Sequence, residues 1–240
     1  MNEHTDSSAL SNRSRDYVAS AAKAVLGAVP FAGSLLAEVA GTIIPNQRLE
    51  RIARFAANLE SLVVRLDQQF VRSQLTNENF TDLLKEGIRQ AARSLSDERR
   101  EYLASVIANG IKSDDVEFFE SKYLLRILGE INDVEVILLR FYLVATMGGD
   151  EAFREKHKDI IIAHPACIGA PRSILDKAAL HESYKEHLVS LGLLERRYRM
   201  DIRTKQPEYD SFNGAQKIAG YQITPLGRLL LRHVGLEDEK

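Results

Sequence analysis

Apolar side chains recur every three or four positions over most of the first 145 residues, and this spacing predicts a mainly helical chain. The longest run predicts a helix from Gln47 to Ser73. Its apolar face comprises Leu49, Ile52, Phe55, Leu59, Leu62, Leu66 and Phe70. Polar residues 76–79 interrupt the pattern, and three further helices are expected to begin near Phe80, Glu98 and Ser113. Residues 16–128 are therefore predicted to form an all-helical domain.

Within that domain, residues 17–45 are dominated by small and apolar side chains, with charges only at Lys23 and Glu38. Pro30 fits the first turn of a helix, where its missing N–H costs nothing, so the stretch predicts two short helices forming a hydrophobic hairpin. Polar residues 1–15 lack any apolar period, and we expect a mobile tail there.

The second arm of this hairpin carries Gly33, Ala37 and Gly41 at intervals of four residues, a stripe that lets another helix approach closely. Two interpretations stay open: a tight helix pair in a soluble core, or a hairpin that oligomerises or inserts into a membrane. A spanning helix needs about 20 consecutive apolar residues, and the uncharged run here is shorter. Because a buried Glu38 carboxylate is costly in lipid, membrane contact is expected to be conditional.

The C-terminal part has a different pattern, typical of a winged-helix (α+β) domain over residues 129–236, with a tail at 237–240. Residues 184–197 (YKEHLVSLGLLERR) and 221–231 (YQITPLGRLLL) carry the two halves of this signature. They predict a helix ending at Gly192, a strand over Leu193–Met200, a wing, and a return strand that ends at Thr224-Pro225, where the last helix begins.

Caps and turns in the sequence predict the elements that precede this signature. Asn132-Asp133 predicts the start of a helix over Val134–Met147, and the β-branched segment Lys156–Ile162 predicts a short strand. A second helix is expected from Pro171 and a third from about His181 to Leu191. The third is predicted to turn Leu180, Tyr184, Leu188 and Leu191 inward, and Glu182, Ser183, Lys185 and Glu186 outward.

The net charge of −2 gives no general attraction to nucleic acid, so such binding would need a local basic patch. One occurs in the predicted strand and wing, where only Asp201 opposes it. With Lys185 on the helix, the candidate nucleic-acid-binding residues are Arg196, Arg197, Arg199, Arg203 and Lys205. The alternative is a solvated edge strand whose charges discourage aggregation.

No catalytic or metal-binding motif is present. The single cysteine, Cys167, follows His164 across a proline turn. A nucleophile would need a depressed thiol pKa and an orienting third group, and the sequence indicates neither. We therefore expect a non-enzymatic protein without catalytic residues, metal or cofactor. The N-terminus lacks a secretory signal pattern, which predicts a cytoplasmic protein, peripheral to the inner membrane if the hairpin contacts it.

The order of features resembles bacterial proteins of the Abi-alpha type. The resemblance spans residues 20–145 and is carried by three segments: PNQRLERIARFAANLESL, SLSDERREYLASVIANGI and YLLRILGEINDVEVILLRFYL. The resemblance implies abortive infection, a form of phage defence, and brings no active site with it.

Three functions follow. The first is a defence protein whose winged helix binds a partner while the hairpin assembles copies or perturbs a membrane. The second is a winged-helix DNA-binding transcriptional regulator with a helical dimerisation domain, and the third is a scaffold subunit of a larger complex. The corresponding partners are nucleic acid, another protein or a second copy of the chain, and conditionally a membrane.

Overall fold

The structure is a computed structural model that describes residues 46–74, 76–111, 115–144, 150–162, 169–211 and 214–237. The predicted hairpin, with Gly33, Ala37, Glu38 and Gly41, lies outside the described residues, as do the N-terminal tail and the pair His164 and Cys167. The described chain is mainly helical with one small antiparallel sheet. Its residues up to Gly129, together with His233–Gly235, form one compact unit, and its other residues form a second.

The first unit contains five described helices. They are α1 (Asn46–Val63), α2 (Gln68–Gln74), α3 (Glu78–Arg93), α4 (Asp97–Ile111) and α5 (Asp115–Glu130). Asn77 caps α3, because its side-chain oxygen accepts hydrogen bonds from backbone N–H groups of the first turn. Ser96 does the same for α4, since its Oγ accepts a hydrogen bond from Arg99 N.

The core of the first unit lies where α1, α3 and α4 pack together around Phe55, Leu83, Leu103 and Ile107, all of which are buried. Close approach depends on Gly110, since a Cβ there would lie 2.6 Å from Leu83 Cδ2. Hydrogen bonds from Gln90 Nε2 and Arg99 Nη1 to the carbonyl oxygens of Leu125 and Leu128 join α3 and α4 to α5.

The single long helix predicted over residues 47–73 is wrong, because the structure has two helices separated at residues 64–67. Asp67 Oδ1 accepts hydrogen bonds from the backbone N of Gln69 at 2.8 Å and of Phe70 at 2.9 Å, so it starts α2 as an N-terminal cap. Leu62 and Phe70 are consequently exposed, although the apolar period runs through them.

The second unit is built from helices around one hairpin. Its elements are α6 (Asp133–Leu143), α7 (Glu151–Lys156), α8 (Lys158–Ile161), α9 (Arg172–Ser190), β1 (Leu194–Tyr198), β2 (Ile218–Ile223) and α10 (Pro225–His233). Helix α6 contacts α8, α9 and β2, and α9 also contacts β1. Buried leucines from these elements, including Leu139, Leu188 and Leu230, form the core.

Two predictions for this unit are wrong. The segment predicted as a strand over residues 156–162 forms helix α8, whose turn is closed by hydrogen bonds from Ile161 N to His157 O and from Ile162 N to Lys158 O. The helices predicted to begin at Pro171 and His181 are one continuous helix, α9. Leu180, expected to pack inward, is more than half exposed in the middle of that helix.

The boundaries set by caps and glycine are confirmed. Asn132 and Glu135 form a reciprocal capping box at the start of α6. Gly192 takes a φ of +72° after α9, a conformation that favours glycine, and the chain enters β1 there. Thr224 Oγ1 donates to Gly192 O at 2.7 Å and accepts from Gly227 N at 3.0 Å, which joins the end of α9 to the start of α10.

Candidate binding surface of the hairpin

The two faces of the hairpin formed by β1 and β2 differ in their contacts. Side chains alternate between faces along a strand, so neighbouring Arg196 and Arg197 point to opposite sides. Arg196 pairs with Tyr221 across the sheet, and Arg197 pairs with Gly220. The face of Arg196 lies against α9, whereas Arg197 is exposed.

Arg196 and Tyr221 both bind carboxylates of α9. Arg196 Nε donates to Glu186 Oε1 at 3.0 Å, and Nη2 of the same guanidinium pairs with Glu186 Oε2. The hydroxyl oxygen of Tyr221 lies 2.6 Å from Glu182 Oε1 and 2.8 Å from Glu186 Oε1. Lys185 completes the network, because its Nζ pairs with Glu182 and lies 4.9 Å from the centroid of the Tyr221 ring.

These contacts change the acid–base behaviour of the network. The hydrogen bond from Arg196 lowers the pKa of the Glu186 carboxyl below its ordinary range. Burial, together with the hydrogen bonds to the two carboxylates, raises the pKa of the Tyr221 hydroxyl well above its ordinary value. Both effects favour the charge states in which Arg196, Glu186 and neutral Tyr221 stay bonded.

The expectation that Lys185 and Glu186 point outward from the third helix is wrong. The side chain of Lys185 is only 13% exposed, because it lies on Tyr221 beside Glu182, and the side chain of Glu186 is 34% exposed under Arg196. Two of the six predicted basic site residues, Lys185 and Arg196, therefore already have carboxylate partners within the chain.

The other four predicted basic residues are exposed on the hairpin and on the connection between its strands. They are Arg197, Arg199, Arg203 and Lys205. Within the described part of the chain, none of the four forms an ion pair. Their predicted role in nucleic-acid binding stays a prediction, but the structure leaves their charges available to an external anion.

Residues 199–217, here called the hairpin extension, are closed at their base by a ring of three backbone hydrogen bonds. Arg199 N donates to Lys217 O at 2.8 Å, Lys217 N donates to Glu208 O at 2.8 Å, and Glu208 N donates to Arg199 O at 2.9 Å. Isolated bridges between Met200 and Pro207 and between Tyr209 and Gln216 continue the pairing on either side. The extension is therefore an ordered projection of the sheet over its described residues.

The extension has two turns, one closed by the hydrogen bond from Asp201 N to Gln206 O and one by that from Asp210 N to Ala215 O. The first, here called the tip, is held by Asp201. Its Oδ1 accepts hydrogen bonds from the backbone N of Arg203 and Thr204, each at 2.8 Å, and its carbonyl accepts from Lys205 N at 2.9 Å. The two backbone donors, Thr204 first and then Arg203, lower the pKa of the Asp201 carboxyl. Ile202 stands at the outside of this turn and is 86% exposed.

Sequence reasoning missed the exposed apolar side chains that accompany the cations. They are Tyr198, Met200, Ile202, Tyr209 and Ile218, each at least two-fifths exposed. The signal was present in the alternation of basic and apolar residues over RRYRMDIR, which predicts a half-buried strand. Beyond Arg196, which lies against α9, the apolar side chains of this stretch are exposed beside the arginines, so the surface is both basic and apolar.

Elsewhere in the first unit, an open groove of about 580 Å³ lies between α3 and α5. Phe119 and Tyr123 line it beside Lys122, which pairs with Asp82. No group of three His, Cys, Asp or Glu side chains that could hold a metal occurs among the described residues. Over the same residues, no helix combines the length and hydropathy needed to cross a membrane.

Comparison with known proteins gives no relative: no family model matches the chain, and neither a curated protein nor a solved structure is significantly similar to it.

Proposed function

We propose that this chain is a non-enzymatic protein of bacterial phage defence whose C-terminal unit is a winged helix that binds duplex DNA through its wing. The observation that carries the DNA-binding part is the set of four exposed cations without an ion pair in the described chain, on β1 and the hairpin extension. The defence setting rests on the resemblance to Abi-alpha-type proteins alone.

The order of elements supports a winged helix. Helix α6 would be the first helix of the motif, α7 and α8 would together take the place of the second, and α9 would be the third. The hairpin follows α9 directly, with the extension as the wing, and α10 closes the unit after β2. This assignment differs from the sequence-based one, which split α9 into two helices.

The distribution of charged side chains favours DNA contact through the wing rather than through α9. A recognition helix usually presents Arg, Lys, Asn or Gln to the bases and phosphates. On α9 the corresponding stretch carries Glu182 and Glu186, and its one lysine, Lys185, is held by Glu182 and Tyr221. Phosphate binding at this face would require breaking the network and bringing carboxylates close to phosphates, whereas Arg197 and Arg199 are already exposed.

The test is fluorescence anisotropy of a labelled duplex with full-length protein over a series of salt concentrations. We expect salt-sensitive binding, and each lost phosphate contact should reduce the slope of log K against log salt by about 0.9. The variant Arg197→Ala/Arg199→Ala/Arg203→Ala should bind weakly, with a slope smaller by up to about 2.7.

A matched control removes the same charge from other exposed positions of the second unit. Arg172, Lys177 and Arg232 are exposed and have no ion pair in the described chain, so the triple alanine variant at these positions should bind like the wild type. Stronger loss in this control than in the wing variant would move the binding site to the helices. No wild-type binding at low salt would refute DNA binding.

The defence part is tested separately by measuring phage yield in bacteria that express the wild type or the wing variant. We expect reduced yield with the wild type only. Duplex binding without any effect on phage yield would instead support the DNA-binding regulator. Co-flotation with anionic liposomes, compared between wild type and Gly33→Leu, tests the sequence-based proposal that residues 17–45 assemble copies or contact a membrane.

A further inference from the structure

Ile202 has the highest exposed fraction of the large hydrophobic side chains in the described chain, at 86%. It stands at the tip of the hairpin extension, with Arg203 directly after it and Lys205 two residues further on. An isolated exposed apolar residue is ordinary on a protein surface. Its position next to Arg203 on an exposed turn is not, because the turn presents apolar and basic side chains together.

The turn that carries Ile202 is held by hydrogen bonds from its backbone N–H groups to Asp201. Asp201 accepts from Arg203 N and Thr204 N through its side chain and from Lys205 N through its carbonyl, and Lys205 adopts a φ of +56°. The ring of hydrogen bonds at the base of the extension holds the two sides together. The exposed isoleucine is thus held out from the sheet by an ordered turn, so little order has to be gained on binding.

We propose that Ile202 is a wedge that inserts between base pairs from the minor groove of duplex DNA, while Arg203 and Lys205 contact the phosphates on either side. This inference rests on the proposed DNA binding and deepens it. Minor-groove proteins use apolar side chains such as Ile, Leu, Met or Phe in this way, and the partial unstacking kinks the duplex.

The dimensions of the tip suit this site. The minor groove is about 6 Å wide, and a two-stranded ribbon has a strand spacing of about 4.8 Å before its side chains are counted. A single side chain that projects from the turn can therefore reach the base pairs, while the strands stay outside, where exposed arginines such as Arg199 meet the phosphate backbone.

A lipid surface explains the same residues less well. Even a whole myristoyl chain gives only marginal, reversible membrane binding, with an association constant of about 10⁴ M⁻¹. One isoleucine provides much less apolar surface than such a chain. DNA is therefore the better partner for the tip, and liposome flotation distinguishes the two.

The wedge predicts a preference among DNA sequences without any hydrogen bond to a base. Pyrimidine–purine steps such as TA are unstacked easily, whereas A-tracts are stiff. The experiment uses full-length protein and two duplexes of about 20 base pairs that differ only in a central TA step or a central A-tract. Binding is followed by anisotropy, bending by energy transfer between the duplex ends, and unstacking by fluorescence of 2-aminopurine beside the step.

The test variant is Ile202→Ala, and Leu95→Ala is the matched control, since Leu95 is 84% exposed in the first unit. We expect the wild type and the control to bend the TA duplex and to increase 2-aminopurine fluorescence. Ile202→Ala should lose both signals and the preference for TA, but keep the salt dependence that the cations provide. Ile202→Leu should restore the bending.

Wild-type binding without bending, or bending unchanged in Ile202→Ala, would overturn the wedge and leave the proposed DNA binding intact. Absence of wild-type binding to either duplex would remove the proposed function and the wedge together. If, in addition, the protein floats with anionic liposomes and Ile202→Ala does not, the tip is a membrane contact instead. Equal melting temperatures of the variants and the wild type verify that each variant is folded.

Discussion

Nδ1 of His187 lies 2.6 Å from Oε1 of Glu135, and this contact joins α9 to the first turn of α6. Glu135 is 2% exposed, and its other oxygen, Oε2, accepts the backbone N–H of Asn132 at 2.7 Å. In the tautomer that carries its proton on Nδ1, His187 donates this hydrogen bond to the Glu135 side chain. One buried side chain therefore caps α6 and positions the helix that precedes the hairpin.

Replacing Glu135 by alanine should destabilise the second unit by about 1–3 kcal/mol, because the donors at Asn132 and His187 lose their acceptor. Urea unfolding, followed by circular dichroism, measures this change. Asp176→Ala on the exposed side of α9 is the control and should change the free energy of unfolding by no more than about 0.5 kcal/mol. Equal stability of Glu135→Ala and the wild type would show that the pair does not hold α6 and α9 together.

Gly227→Ala should destabilise the unit by about 2 kcal/mol, although alanine is the better helix former by about 1 kcal/mol. A Cβ at Gly227 would overlap the carbonyl oxygen of Leu193 and lie 2.8 Å from Ile223 Cγ1. Since the carbonyl belongs to the backbone, α10 or the start of β1 would have to move. Gly220→Ala in β2 is the control, because no heavy atom lies within 4 Å of its added Cβ. A Gly227→Ala melting temperature at or above that of the wild type would contradict this packing.

The ion pair between Arg196 and Glu186 should make stability depend on pH below the ordinary carboxyl pKa of 4.5. Because Arg196 lowers the pKa of Glu186, the folded protein binds fewer protons there than the unfolded protein. The stabilising contribution is therefore complete above 4.5 and is lost as the pH falls through the lowered folded value. Melting temperatures measured from about pH 5 downward should decline less steeply in Arg196→Gln than in the wild type.

Arg197→Gln is a close control for that experiment, since Arg197 is the next residue of β1, is exposed and forms no ion pair in the described chain. Its melting temperatures should follow the wild-type pH profile. If both variants flattened the profile equally, general repulsion among the arginines would be responsible, rather than the bond to Glu186.

Asp201→Ala should loosen the tip of the hairpin extension, whereas Asp201→Asn should preserve it, because an asparagine oxygen accepts the same two backbone hydrogen bonds. Amide hydrogen exchange at Arg203 and Thr204 measures the change directly. We expect faster exchange in the alanine variant, with the amide of Gly227 as an internal reference. Identical exchange rates in all three proteins would mean that the backbone alone holds the turn.

Local signals in the sequence predicted the boundaries of the hairpin. Gly192 and Thr224 terminate α9 and β2 through a positive φ and a side-chain cap, and such features depend on a few neighbouring residues. The capping box at Asn132 is local in the same sense. The helices predicted to begin near Phe80, Glu98 and Ser113 are confirmed as well, as α3, α4 and α5.

The failures have two causes: a local cap that the continuous apolar period concealed, and contacts distant in sequence. Apolar periodicity continues past Val63, and only the cap at Asp67 separates α1 from α2. The outward face expected for the third helix is occupied by Tyr221, which follows Lys185 by 36 positions. A helical periodicity does not include that strand, so neither the contact of Lys185 with Tyr221 nor the ion pair of Arg196 with Glu186 could be read from spacing.

The ring formed by Arg199, Glu208 and Lys217 involves main-chain atoms only, so almost any residue except proline can occupy its three positions. The side chains at the tip can then be exchanged by mutation without disturbing the base on which they stand. An extension constructed in this way can change its target during evolution, as an antibody loop does on a constant framework.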